Sequence, residues 1–153
     1  MSWQALSDAA PELAAFGHER LHDQVAYLAT VRADGSPRVH PVRPVVTADR
    51  LFVFTEATSP KVRDLEHDGR YALHCTATSD QPWDLREFAV DGVARRVTDD
   101  ETRRIANAGS AFPRDERFLL FELDVSAASS TVYGNDGRPH RERWARPPSP
   151  VIA

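Results

Sequence analysis

The residues best placed to do chemistry lie mid-chain: Thr55, Ser59 and Lys61 span the end of a strand-like stretch and the first positions of a helical one. Ser59-Pro60 is a strong helix start, a capping hydroxyl followed by proline at the first helical position. The opening N–H groups of such a helix lack intrahelical acceptors and its dipole favours negative charge. With one ammonium and two hydroxyls added, the segment describes a cradle for a phosphate or a similar anion. The same residues also fit a structural role, with Ser59 capping the helix, Lys61 in water and Thr55 an ordinary strand residue. A second constellation, His18-Glu19-Arg20-Leu21-His22, places two histidines four apart on a helical stretch with glutamate beside the first, the spacing of a zinc hydrolase. Arg20 puts a charge where such helices are normally buried, and no third ligand follows at a recognised spacing. His40, Tyr71 and His74 could move a proton. Cys75 alternates with Leu73 in a strand pattern and reads as a buried, inert thiol. Arg63 with Asp64, and Arg95-Arg96, read as solvated charges.

These side chains need a scaffold, and the periodicity supplies one. Pro11 to His22 reads as a helix with Leu13, Phe16 and Leu21 on one stripe. From Val25 the period changes to two: Val25, Tyr27, Ala29 and Val31 face one way, Ala26, Leu28, Thr30 and Arg32 the other. Asp34-Gly35 turns the chain into a returning strand over Arg38 to Val46. Pro37, Pro41 and Pro44 require that strand to be bulged, interrupted or at an edge. Leu51 to Thr55 completes a second hairpin, and the Ser59-Pro60 helix runs to about His67 with Gly69 available to end it. Further strands are expected at Tyr71 to Thr76, Glu87 to Val97, Phe118 to Val125 and Ser130 to Tyr133. Thr98 and Glu101, at capping-box spacing, open a helix through about Asn107; Asp99, Asp100 and Glu101 suit its dipole there. Antiparallel strands with a few short helices indicate an α+β domain on a closed or nearly closed barrel. Residues 1–136 form one domain; 137–153, rich in proline around Trp144, form an extended tail suited to lie on a partner.

Composition narrows the function. A chain of 153 residues is ample for one core and short for two. A net charge of -4 offers no general attraction for nucleic acid. No apolar run suits a bilayer, no secretory pattern opens the chain, and the lone Cys75 fits a reducing compartment, so a cytoplasmic location is expected.

Tyr27-Leu28-Ala29-Thr30-Val31, Asp34-Gly35 and Pro37-Arg38-Val39 resemble the opening hairpin of pyridoxamine 5'-phosphate oxidase-like proteins. Thr55, Ser59 and Lys61 with Asp64-Leu65 resemble that family's cofactor-phosphate segment. Glu87-Phe88 with Asp91-Gly92-Val93-Ala94 resembles its later strand. The resemblance covers about residues 20 to 125. It implies a predominantly antiparallel split β-barrel with short flanking helices, and a homodimer whose cofactor sites lie at the subunit interface. FMN is the implied cofactor, with the deazaflavin F420 as the alternative. Arg38, Val39, His40 and Pro41 would line the tricyclic ring, and Lys61 and Ser59 would hold the phosphate, helped by Thr55 and by Arg38 or Arg63. Trp83 or Trp144 would come from the other subunit. Pro60 stands where the vitamin B6 oxidases resemble a basic pair, and Pro147-Pro148 follows Arg146 in place of their terminal pattern, although His140, Trp144 and Arg146 echo their substrate-binding end. The implied activity is hydride transfer to or from a small conjugated or heterocyclic substrate. A non-catalytic flavin or haem carrier or sensor, with His40 or His74 as the haem residues, and a zinc hydrolase built on His18, Glu19 and His22 are the competing readings.

Overall fold

The computed structural model describes residues 2–78, 80–81 and 83–152. Their elements are α1 (Ser2–Ala9), α2 (Pro11–Leu21), β1 (Ala26–Val31), β2 (Pro37–Val42), β3 (Val45–Thr47), β4 (Arg50–Glu56), α3 (Pro60–His67), β5 (Arg70–Thr78), β6 (Leu85–Val97), α4 (Asp100–Gly109), β7 (Phe118–Tyr133) and β8 (Pro139–Ala145). All pairings are antiparallel, in the order β2-β1-β5-β6-β7-β4-β3, with β8 also on β7.

That order explains the barrel. β2 and β3 are the opposite edges of the sheet, yet only Arg43 and Pro44 separate them in the chain. A twisted sheet meets this only by curling until its edges approach. No ladder joins β2 to β3 in this order, so the barrel is split. The expected strand over Arg38 to Val46 is therefore interrupted at Arg43-Pro44, where the chain leaves one edge for the other. Its prolines are placed accordingly. Arg32 N–H donates to the Ser36 carbonyl at 2.9 Å to close the first hairpin. Counting from that pair, strand alternation turns the backbone groups of Arg38 and His40 towards β1 and those of Pro37, Val39 and Pro41 to the free edge, where a missing donor costs nothing.

Leu28, Val53, Leu73, Phe88, Phe121 and Leu123 fill the barrel. One mouth is covered by α1 and α2, which bury Trp3, Leu6, Leu13 and Leu21. Gly17 of α2 sits directly against the Phe88 ring, leaving no room for a Cβ. Periodicity missed α1, an eight-residue helix whose Trp3 and Leu6 find their partners only in the assembled core. A smaller cluster of Val45, Phe52, Phe54, Ala106 and Leu120 lies under α4.

Several local expectations need correction. The stretches Phe118 to Val125 and Ser130 to Tyr133 are one strand, bridged because β6 pairs along nearly its whole length, with a register shift at Asp91/Gly92. The cap of α4 is Asp99, whose carboxylate accepts from Thr102 N–H at 2.9 Å, in place of Thr98. Within residues 137–153, Pro139–Ala145 is a strand on β7 of the same chain, followed by Arg146, whose guanidinium makes two 3.0 Å bonds to Asp124.

Candidate functional site

α3 is entered from β4, the strand that carries Thr55, and Pro60 fixes its first turn. Ser59 occupies the N-cap position, but its hydroxyl makes no capping bond. It accepts from Lys61 Nζ at 2.8 Å, so the opening amides of the helix are not satisfied by it. Ser59, Lys61 and Thr55 line one cleft of about 360 Å³ together with Val25, Pro41, Val42, Arg43, Phe54, Glu56, Arg114 and Phe118. Partial burial pushes the Lys61 ammonium pKa down, opposed by Glu56.

Thr55 supplies the most informative atom. The residue is 2% exposed and its Oγ1 has no hydrogen-bond partner. A buried hydroxyl left unpaired costs about 1–3 kcal/mol, and such an orphan beside a lysine and an open helix start suits an anionic ligand.

β2 reaches this cleft through Pro41 and Val42, whereas Arg38, Val39 and His40 are not among its lining residues. Side-chain alternation divides the four expected ring-lining residues: Arg38 and His40 point inward with buried Val42, whereas Val39 and Pro41 lie on the exposed side. Arg38 Nε donates to Asp64 Oδ2 at 2.7 Å, and Thr30 Oγ1 donates to the same oxygen at 2.7 Å. Asp64 is thus a buried anchor, correcting its reading as a solvated partner of Arg63. Burial pushes its carboxyl pKa up, but the hydrogen bonds from Thr30 and Arg38 and the guanidinium charge outweigh this and hold it low. His40 Nε2 is a second buried atom without a partner. Burial, then the charges of Lys61 and Arg38, depress its pKa against the opposing effect of Asp64.

Sequence reasoning missed the far side of the cleft. Arg43 is held by the Asp23 carbonyl at 2.8 Å and lies 4.9 Å from the Phe112 ring centroid. Arg114 lies 5.7 Å from that of Phe54. The loop after α4 that carries Phe112 and Arg114 is clamped by Asn107, which donates to the Arg114 carbonyl and accepts from its N–H, both at 2.9 Å. Asp23 also accepts from Ser110 Oγ and Ala111 N–H. In the chain Arg114 stands two residues from Phe112, whereas Arg43 has no Phe, Tyr or Trp within eight positions, so its ring contact was not readable from sequence.

The other proton-moving candidates lie elsewhere. Tyr71 is buried and donates to the Asp124 carbonyl at 3.0 Å. His74 sits on the exposed sheet face, 3.5 Å from Glu87. Cys75 is 3% exposed and burial pushes its thiol pKa up to about 11, an inert residue as expected. His18 and His22 have ring centroids 5.0 Å apart, but His22 Nδ1 accepts the Val46 amide at 3.0 Å and Glu19 pairs with Arg20 at 2.6 Å. Among the described residues no three metal-ligating side chains converge. Among them too, no helix is long and apolar enough to cross a membrane. Trp83 is exposed and Trp144 packs partly against the core.

Comparison with known proteins agrees with this fold. Residues 11–132 match the family described as pyridoxamine 5'-phosphate oxidase. No curated protein matches the chain in sequence. The conserved hypothetical protein Rv2991 from Mycobacterium tuberculosis superposes with a TM-score of 0.69 at 19% identity, covering 94% of each chain. A heme binding protein from Mycobacterium smegmatis gives 0.68 at 21% identity over 86% of this chain, which spans only 56% of that protein. PhzG from Burkholderia lata 383, solved with tetrahydrophenazine-1-carboxylic acid, gives 0.60 at 18% identity, covering 95% of this chain and 83% of that one.

Proposed function

Because the chain belongs to the pyridoxamine 5'-phosphate oxidase family, we propose that it is an oxidoreductase holding FMN, or alternatively F420, with its anionic group at the entrance to α3. The unpartnered Thr55 hydroxyl carries this reading: it lines the cleft beside Ser59 and Lys61, where a phosphate would satisfy it. When bound, the cofactor ring supplies the hydride chemistry. Lys61, Ser59 and Thr55 hold the phosphate, while Arg38, fixed by Asp64, contributes positive charge from β2. The free edge of β2 offers the Val39 N–H and carbonyl and the Pro41 carbonyl to polar atoms of a planar ring. Pro41, Val42, Phe54 and Phe118 line the same cleft and exclude water. Arg43 and Arg114, braced against aromatic rings, suit a small conjugated or heterocyclic substrate that bears a carboxylate, a class to which the PhzG ligand belongs.

The functional unit in this proposal is a cytoplasmic homodimer. Tyr27 and Val39, 54% and 61% exposed, and Val93 share one outward sheet face with the small side chains of Ala29 and Ala72. A second copy would cover this face and close the cofactor site.

A non-catalytic haem carrier is the second reading, favoured by the name of the M. smegmatis neighbour and by the unpartnered His40 imidazole nitrogen. A visible spectrum of the purified protein separates flavin, F420 and haem. Titration of the apo protein with FMN and with F420, followed by fluorescence, tests the leading reading. Lys61→Ala should weaken binding of the preferred carrier by about 1.5–3 kcal/mol, the loss of a charge-assisted contact. Unchanged affinity in this variant would refute the site.

A further inference from the structure

From the geometry of His40 we infer that its imidazole is a ligand of the anion held at the entrance to α3 and takes up a proton when that anion binds. The inference rests on the cofactor reading above and adds to it a residue and a linkage.

His40 occupies the inward face of β2 between Arg38, which bonds Asp64 of α3, and Val42, which lines the cleft with Lys61, and not the exposed side that carries Val39 and Pro41. Its Nε2 is buried and makes no hydrogen bond. The charged groups that act most strongly on the imidazole are Lys61 and Asp64 from α3, Arg38 from β2 and Arg32 at the start of the hairpin turn. Three are cations. Asp64, the anion among these four, is engaged on one oxygen by both Arg38 and Thr30.

A protonated imidazole is therefore unfavourable here while no anion is present, which leaves the ring neutral with an unused polar atom. An anion accepting from Lys61 and Thr55 reverses this balance. It offers Nε2 an acceptor and compensates the surrounding positive charge, so the protonated ring becomes the better partner. Binding and protonation are then linked, with each favouring the other. Such a ring would act on the anionic end of the cofactor and not on the hydride-transferring atoms.

The experiment is a titration of the full chain with whichever of FMN and F420 binds more tightly, from about pH 5.5 to about pH 8.5. The apparent Kd should rise with pH by up to about ten-fold per unit, within the window between the free and the ligand-bound pKa of His40. A phosphomonoester loses charge on acidification through about pH 6. That acts in the opposite sense, so tighter binding at lower pH reports the protein. His40→Gln should abolish this rise of Kd with pH, leaving for FMN at most the opposite trend of its own phosphate. Calorimetry in buffers of differing ionisation enthalpy should show net proton uptake by the unaltered chain and its loss in the variant. That count on the unaltered chain stands even if His40→Gln folds poorly. A carrier that binds with a flat pH profile and no proton uptake overturns the role of His40 and leaves the cofactor site standing. A slope retained in a folded His40→Gln variant does the same. Failure of both carriers to bind the unaltered chain at any pH overturns the cofactor reading, and this inference with it.

Discussion

Thr55→Val offers a test in which stability and binding move in opposite directions. Thr55 is 2% exposed, pairs with Leu119 across the β4–β7 ladder, and leaves Oγ1 without a partner. Valine has nearly the same volume, the same branching at Cβ and the same preference for strands, so packing changes little. What changes is the buried hydroxyl. Removing an unsatisfied group of this kind returns about 1–2 kcal/mol to the apo protein. For a chain of this length, that corresponds to a rise in melting temperature of about 2–8 °C. Cofactor binding should move the other way, because the phosphate loses one donor. A hydrogen bond to a charged acceptor, about 1.5–3 kcal/mol, predicts roughly 10- to 150-fold weaker affinity. The assays are differential scanning fluorimetry of the apo protein and fluorescence titration with the preferred carrier. A lower melting temperature in the apo variant would mean that the Thr55 hydroxyl already has a stabilising partner, and the principal argument for the site would collapse. A stabilised variant with unchanged affinity would place the anion elsewhere.

Three further outcomes follow from the fold. Gly92→Ala should cost about 2–4 kcal/mol and reduce soluble yield, since a Cβ there would run into the Asp124 carbonyl at the β6 register shift; near-native denaturation midpoints would contradict this. Glu122 is buried between Arg50 and Arg95, and although burial pushes its pKa up, those two partners hold it low. A depressed carboxyl stabilises the fold above its unfolded-state pKa and loses that contribution as pH falls through the folded value. Acid unfolding curves recorded below about pH 4.5 should therefore show Glu122→Gln with a shallower loss of melting temperature than the unaltered protein. Cys75 should resist thiol reagents in the native protein and react only after denaturation; rapid native labelling at neutral pH would show that β5 opens readily.

Much of the fold was legible because its signals are local. Alternation at Tyr27 to Val31 gave the strand and its two faces, Gly35, at φ 86°, gave the turn, and Ser59-Pro60 gave the start of α3. The second hairpin was harder to place. It turns on Ala48 and Asp49, both at positive φ, where Ala48 gives no signal and Asp49 only a weak one. α1 was missed because its amphipathic pattern is short and its stability comes from burying Trp3 and Leu6 against distant strands. Within the site, Thr55, Ser59 and Lys61 were readable from chain order alone. Asp64 was misread because its partners, Thr30 and Arg38, lie 34 and 26 residues away.

The amino-acid order alone determined the type of most elements, the antiparallel character of the sheet and the segment able to greet an anion, because period, proline placement and capping act over a few residues. Tertiary structure decided the rest: that β2 and β3 become facing edges of a split barrel, that Arg38 and His40 turn towards α3 while Val39 turns away, and that Arg43 and Arg114 share a cleft with Lys61. Those outcomes depend on how a twisted sheet curls and on which buried polar atoms find partners, and both are set by contacts between residues far apart in the chain.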